Sequence, residues 1–167
     1  MPNVLLISDR HLKDQALVES NVDAKVLAKV IHSVQEIQLK QILGSTLYGS
    51  LIQAVADQIQ SGTTLSETYT EVLNDYVKPW MVWAVAADFL ILNQYKVTNK
   101  GVLRLSDDGA ESVSLQELEA LKNYYDNNAA SFKLRLIDHL KKNSLVTYSD
   151  NPDTNISSGS IGWFIER

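Results

Sequence analysis

Side chains that could carry chemistry are few in this sequence and stand far apart. The histidines are His11, His32 and His139, and no two have the four-residue spacing that places two imidazoles on one helix face. Periodicity places His32 on a polar helix face and His139 at the edge of an apolar stripe. We therefore predict a solvated and a packed histidine rather than metal ligands. The absence of cysteine from the 167 residues excludes disulfides, zinc–thiolate sites and thiol catalysis.

Two glycine-rich stretches imitate catalytic loops. Residues 44–51, GSTLYGSL, have the glycine spacing of a phosphate loop but lack its lysine and join two helical patterns instead of a strand and a helix. We interpret them as the end of one helix and the start of the next. Residues 158–162, SGSIG, lack nucleophile-elbow spacing and are interpreted as a hinge before a terminal strand.

The acidic residues form no complete ligand set. Asp107, Asp108 and Glu111, and likewise Asp150 and Asp153, lack the alternation and terminal glutamate of a calcium loop, so both clusters are predicted to be solvated turns.

Asp88 lies within an apolar helical pattern, where it could cap a neighbouring segment, pair with a basic residue or face an interface. No second titrating partner is evident, so catalysis is not favoured there. We predict that the protein is not an enzyme and has no cofactor or metal site.

Bulk composition indicates one globular domain. Hydrophobic residues make up 45% and charged residues 21% of the chain. The net charge of -5 argues against tight nonspecific binding of nucleic acid, which requires a cationic surface. The densest apolar run, Trp80–Leu92, is too short to span a membrane and predicts a buried core helix.

Helix start and stop signals predict about five helices. Asn21 is expected to cap the first, Gly44 to end it in the left-handed position after the helix, and Ser45 to cap the second, which Gly62 closes. The predicted helices cover approximately 22–43, 45–61, 64–76, 79–92 and 115–142.

Two capping boxes and one proline set the later boundaries. Thr64 with Glu67, and Ser114 with Glu117, have the spacing in which a hydroxyl and a carboxylate satisfy each other's backbone donors. Pro79 is placed as the first residue of the fourth helix, where its missing N–H costs nothing.

Apolar positions that step by three and four residues predict the buried faces. They are Val26, Val30, Ile31, Val34 and Ile37; Leu47, Leu51, Ile52, Val55 and Ile59; Leu65, Val72, Leu73 and Tyr76; and Leu115, Leu118, Leu121, Tyr125, Ala129, Phe132, Leu136 and Leu140. The fourth helix, with Trp80, Trp83 and Phe89, is apolar nearly all round and belongs at the centre or in a subunit interface.

Segments without helical patterning are expected to be extended. Val4–Ile7 predicts a short strand or arm, 97–114 an extended loop or hairpin insertion, and 146–167 a strand-like C-terminal tail. The fold class is therefore mainly α, a helical bundle over 1–145 that includes the 97–114 loop, followed by the tail. Aromatic and apolar residues on such segments favour docking on another polypeptide or on the bundle itself.

The order of several pieces resembles that of small head–tail connector (adaptor) proteins of tailed bacteriophages. The similarity covers roughly residues 22–143. The pieces are Ile37–Gly44 followed by Ser45–Tyr48; Tyr76–Trp80 with the apolar helix after it; Lys96–Arg104; and Val113–Glu117 with the long helix.

The resemblance implies a non-enzymatic helical adaptor that forms a ring, commonly twelvefold, under the portal protein and joins it to a neck or tail protein. It implies a place in the virion neck, host cytoplasm during assembly, a channel through which DNA passes without specific binding, and no membrane. The loop and the tail would reach neighbouring subunits or the portal. The predicted interface residues are Val102, Leu103, Arg104, Leu105, Ile161, Trp163, Phe164 and Ile165.

Two alternatives remain at this point. One is a tail-completion or neck protein that caps the tail tube. The other is a helical protein-binding module that never enters a virion.

Overall fold

The fold is mainly α-helical, and the computed structural model describes residues 4–16, 22–92, 95–98, 101–104 and 114–145. The helices are α1 (Asp9–Gln15), α2 (Ala24–Val34), α3 (Lys40–Ser61), α4 (Glu67–Glu71), α5 (Lys78–Leu92) and α6 (Leu115–Lys142). The first π-helical segment, Gln35–Leu39, joins α2 to α3, and the second π-helical segment, Val72–Val77, joins α4 to α5. Strands β1 (Tyr95–Thr98) and β2 (Gly101–Arg104) pair antiparallel between α5 and α6.

The described helical residues therefore form four continuous stretches, over 9–15, 24–61, 67–92 and 115–142, where the sequence predicts about five helices. The predicted interruption at Gly44 is present as a kink with non-helical backbone inside the first long stretch. The predicted pair on either side of Pro79 is one continuous stretch, and α1 is a helix that the sequence analysis does not predict. The tail over 146–167 lies outside the described residues.

The first long stretch begins at Asp23, whose carboxylate accepts the backbone N–H of Lys25 at 2.8 Å, rather than at Asn21. Its buried face is Leu27, Val30, Ile31 and Val34, so the predicted place of Val26 in that face is wrong. Ile37 is also not buried, since 60% of it is exposed. Ile37 is exposed because it lies in the first π-helical segment, which has a wider turn than an α-helix. The next apolar residue on the buried face after Val34 is therefore Leu39.

Gly44 changes the path of this stretch without ending it in a loop. Its φ of 73° agrees with the predicted positive φ, but its ψ of 159° is not the left-handed helical value. Backbone of this kind is essentially restricted to glycine. Beyond it, α3 buries Leu47, Leu51, Ile52 and Val55 as predicted. The predicted burial of Ile59, near the end of α3, is wrong, because 68% of this residue is exposed.

Gly62 closes α3 as predicted. Its φ of 68° and ψ of 15° are left-handed, and its N–H donates to the Gln58 carbonyl oxygen at 3.0 Å.

The second long stretch begins later than predicted and is not divided by proline. Ser66 is its N-cap and accepts the Tyr69 N–H at 3.3 Å, so the predicted box of Thr64 and Glu67 is wrong. Pro79 is the second residue of α5, and only Lys78 separates it from the second π-helical segment. Because the wide π turn relieves the contact between a proline ring and the preceding turn, the helix continues through it.

Helix α5 occupies the centre, as its composition predicts, and packs against both α2 and α6. It buries Trp80, Met81, Val82, Ala84, Val85, Ala86, Ala87 and Phe89.

Helix α6 has the predicted bounds and the predicted capping box. The Glu117 N–H donates to Ser114 Oγ at 3.2 Å, and the Ser114 N–H donates to Glu117 Oε2 at 3.0 Å. The Ser114 hydroxyl, which donates to Glu117 Oε2 at 2.7 Å, and the Ser114 N–H hold the pKa of the Glu117 carboxyl below its usual value. Of the predicted stripe, Leu118, Tyr125, Leu136 and Leu140 are buried, Ala129 and Phe132 are partly buried, and Leu121 is exposed.

Val4–Ile7 is an arm without regular secondary structure, one of the two predicted forms, and it leads into α1. Leu6 and Ile7 are buried in the main core with residues from α2, α3, α5 and α6.

Candidate interaction surfaces

The hairpin contains three of the predicted interface residues. Val102, Leu103 and Arg104 lie in β2 and are opposite Val97, Lys96 and Tyr95 of β1. The main backbone contacts of the hairpin are between its own strands and with the adjoining end of α5. The other predicted interface residues, Leu105, Ile161, Trp163, Phe164 and Ile165, lie outside the described residues.

Exposed apolar side chains lie at the end of α5 and on the first half of α6. Ile91 and Leu92 are exposed at the end of α5, immediately before β1. Leu121 and Tyr124 are exposed on the first half of α6. The Tyr124 ring contacts the Trp83 ring of α5. The two ring centroids are 6.0 Å apart, and the ring planes are nearly perpendicular. Adjacent exposed apolar groups of this kind suit a protein–protein contact.

Asp88 connects three helical elements. Its Oδ2 accepts a hydrogen bond from Gln38 Nε2 of the first π-helical segment at 3.0 Å. On the other side it interacts electrostatically with Lys122 and Asp126 of α6, which form an ion pair with each other. Burial raises the pKa of the Asp88 carboxyl, and Lys122 opposes that rise. The sequence allowed pairing with a basic residue, and this arrangement makes Asp88 a polar cross-link within the bundle.

His139 is packed, as predicted, and His32 is exposed. The His139 imidazole stacks on Tyr76 of the second π-helical segment, with centroids 4.0 Å apart. Its Nδ1 lies 3.9 Å from Glu71 Oε1. This contact joins the end of α6 to the second long stretch and has the geometry of a packing contact.

Gln35 in the first π-helical segment holds the N-terminal arm, and sequence reasoning missed it. Its Oε1 accepts the Leu6 N–H at 2.9 Å, and its Nε2 donates to the Val4 carbonyl oxygen at 2.9 Å and to Tyr48 Oη at 3.3 Å. One available signal was its position four residues after Ile31, on the apolar side of the helix.

Tyr48 supports this contact from α3. Its hydroxyl donates to Glu36 Oε1 at 2.6 Å, and burial followed by this hydrogen bond raises the pKa of the phenol well above its usual value. Tyr48 belongs to the stretch that imitates a phosphate loop, and it is fully buried. Within the described residues this stretch is therefore part of the core.

Beside the arm lies a shallow groove lined mainly by apolar groups. Its walls are Leu5, Ile7, Ser8 and Asp9 of the arm and α1, and Ala24, Lys25 and Ala28 of α2. Among the described residues, no group of three or more histidines and acids is placed to hold a metal ion. No described helix is long and apolar enough to cross a membrane.

Comparison with known families gives one match. The model of a family of unknown function, DUF6712, matches residues 39–156, from the end of the first π-helical segment into the tail. No curated protein matches the chain. No solved structure matches it.

Proposed function

The chain belongs to the DUF6712 family, whose function is unknown, and we propose that it is a head–tail connector protein of a tailed bacteriophage. The observation that carries the proposal is the hairpin. It stands between the central helix and the longest helix, and its backbone contacts are mainly its own. Lys96–Arg104, one of the pieces that resemble connectors, includes most of it.

In this proposal the helical stretches are the rigid body of each subunit, and the irregular segments make the contacts. Repeating one head-to-tail contact around an axis closes a ring when the rotation fits. The ring, commonly twelvefold in the connector family that the sequence resembles, would bind the portal protein on one side and a neck or tail protein on the other. The protein would act in the virion neck after assembly in the host cytoplasm.

The tail is assigned to the same role. Its sequence predicts a strand-like segment with Ile161, Trp163, Phe164 and Ile165, and such a segment can add to a neighbour by backbone pairing while its alternate side chains fill pockets. Aromatic residues dominate the binding energy of such contacts. The exposed apolar residues Leu92 of α5 and Leu121 and Tyr124 of α6 provide further contact surface.

Net charge is compatible with a DNA channel. A formal charge of -5 per chain limits the capture of phosphates, so DNA would pass without specific binding.

The experiment compares four variants in binding to the purified portal ring and in ring formation by native mass spectrometry. Val102→Asp tests the hairpin, Trp163→Ala the tail anchor, and a stop after Tyr148 the whole tail. Ile59→Asp is the matched control, since Ile59 is exposed at the far end of α3.

We expect the hairpin variant and the truncation to lose portal binding, and Trp163→Ala to weaken it by about 2 kcal/mol per contact. The control should bind as the wild type does. Undiminished binding by the truncation together with Val102→Asp would refute the proposal. A chain that stays monomeric with the portal and is absent from purified virions would indicate a non-virion binding module.

A further inference from the structure

The contact between Gln35 and the arm has the chemistry of peptide recognition. The carbonyl of one residue and the N–H of the residue two positions later point to the same side of an extended chain. Gln35 bonds that pair, the Val4 carbonyl and the Leu6 N–H, at 2.9 Å each. A single side-chain amide thus satisfies both backbone groups, while the Leu6 and Ile7 side chains enter the core.

The cleft that receives the arm requires an occupant. Gln35 is 1% exposed, and its oxygen and its amino group are all engaged by the arm and Tyr48. Removing the arm would leave a buried amide without two of its partners and would uncover apolar surface. Both changes are unfavourable, so an empty cleft favours rebinding of a segment with the same features.

The unit that carries the arm is attached to the bundle through a short set of contacts. Leu6 and Ile7 of the arm and Leu12 of α1 are buried, and Lys13 Nζ donates to the Val22 carbonyl oxygen at 2.8 Å. Helix α2 begins with its own cap, Asp23, and does not need the arm for its first turn. Exchange of the arm requires residues 4–16 to leave the cleft while the three long helical stretches remain folded, a local opening of the kind that native proteins undergo.

We propose that the cleft formed by Gln35, Tyr48 and the surrounding core is a binding site for the Val4–Ile7 segment of a second copy of this chain. The occupant is identified by the structure itself, because the segment seated in the cleft is the same in every copy. Exchange of an element between identical subunits needs no new complementarity. Exchanged in one direction around an axis, the arms would link the subunits of a ring in series.

This inference concerns contacts between copies of the chain and needs no portal. It is therefore independent of portal binding, and either can fail while the other stands.

The first test offers the arm in trans. A peptide of residues 2–8, PNVLLIS, labelled at its C-terminus, is titrated by fluorescence anisotropy against the full chain carrying Leu6→Asp and Ile7→Asp, which disable its own arm. We expect saturable binding of the peptide to this variant. The affinity should fall about tenfold or more when Gln35→Leu is added, because the amide partner is lost. It should fall by a similar factor in the wild type, because the chain's own arm competes with the peptide. A peptide with aspartate at the position of Leu6 is the control. Absence of peptide binding by the folded, arm-disabled chain would overturn the proposal.

The second test leaves the buried residues Leu6, Ile7 and Gln35 unchanged, so it does not depend on the folding of a core variant. Because the chain has no cysteine, Val4→Cys gives a single attachment site for a photo-crosslinker. At high protein concentration we expect cross-linked dimers in which one arm is joined to residues around Gln35 of another chain. Cross-links confined to single chains at every concentration would overturn exchange between copies.

Native-state hydrogen exchange of the unmodified protein completes the tests. The Leu6 amide should exchange about a hundredfold faster than the amide of fully buried Leu136, since the arm opens locally. Equal rates for the two amides would mean that the arm leaves only when the whole protein unfolds, which would overturn the proposal.

Discussion

The two π-helical segments have the same place in their helices and different uses. Each one joins two α-helices in a continuous stretch. The first, Gln35–Leu39, directs amide side chains to other parts of the chain, with Gln35 on the arm and Gln38 on Asp88. The second, Val72–Val77, buries Val72, Leu73 and Val77 and stacks Tyr76 on His139.

The difference shows what a wide turn can provide. In an α-helix, neighbours three and four positions apart share a face, so a polar residue among them faces the same core as its apolar neighbours. The first segment uses the changed spacing to satisfy a buried amide. The second precedes Pro79 and provides room for its ring, while its contacts are mainly apolar and aromatic. One segment is therefore a polar attachment point, and the other is a packing element.

The largest expected effect comes from removing the polar function of the first segment. Gln35→Leu leaves the Leu6 N–H and the Val4 carbonyl without their partner and should lower the free energy of unfolding by about 3 kcal/mol. Asn74→Leu is the matched change in the second segment, where Asn74 accepts a hydrogen bond from Lys78 at an exposed site. It should shift stability by less than about 0.5 kcal/mol. Urea denaturation measures both, and equal losses would remove the distinction between the segments.

A smaller effect is expected from the aromatic contact of the second segment. His139→Leu removes the stack on Tyr76 while keeping an apolar group at a buried position, so the loss should be about 1 kcal/mol. His32→Leu is the control, because His32 is exposed on α2. Thermal unfolding at neutral pH separates them, and indistinguishable midpoints would show that the stack does not stabilise the fold.

The smallest effect is a change in pH dependence at the other contact of the first segment. Burial raises the pKa of the Asp88 carboxyl in the folded chain above its ordinary value of 3.8, so the folded state binds this proton more readily than the unfolded state. The contribution of Asp88 to stability is thus greatest below pH 3.8 and declines as pH rises through the folded-state value. Asp88→Asn should remove that decline and gain stability relative to the wild type as pH rises through this range.

The matched control is Asp75→Asn, an exposed acid of the second segment. Urea denaturation at several pH values between 3.5 and 7 compares the two variants with the wild type. Parallel curves for Asp88→Asn and the wild type would contradict the assigned role of burial.

The sequence predicted well those features that depend on residues close together in the chain. The capping box of Ser114 and Glu117 and the closing glycine at 62 depend on residues within one turn, and both were found as predicted. The apolar composition of α5 predicted either the centre of the bundle or a subunit interface, and its packing against α2 and α6 places it at the centre. The stripe of α6 was right at most positions, since a long uninterrupted α-helix keeps its period.

Predictions failed where the helical period changed or where a boundary depended on context. Ile37 is exposed because it lies in a π-helical turn. A prediction that assumes 3.6 residues per turn places it on the buried face, because the wider turn is not visible in the sequence pattern. Thr64 and Glu67 have the spacing of a capping box, but Ser66 is the cap. Pro79 carries a helix-start signal, yet the preceding turn lets the helix pass through it.

The candidate surfaces divide in the same way. The sequence located the interruption of the helical pattern that holds β1 and β2, because loss of periodicity and turn residues are visible in the chain. It did not locate the contact that holds the arm. There Gln35 bonds the backbone of Val4 and Leu6 and the hydroxyl of Tyr48, which are all distant from Gln35 in the sequence.

By itself the sequence determined the helical class, the burial of most of α5 and the bounds of the longest helix, since each follows from residues close together in the chain. Only the tertiary structure decided which amide faces the arm, which acid is buried and which apolar side chains remain exposed. Those outcomes depend on the register between helices, and a single wide turn is enough to change it.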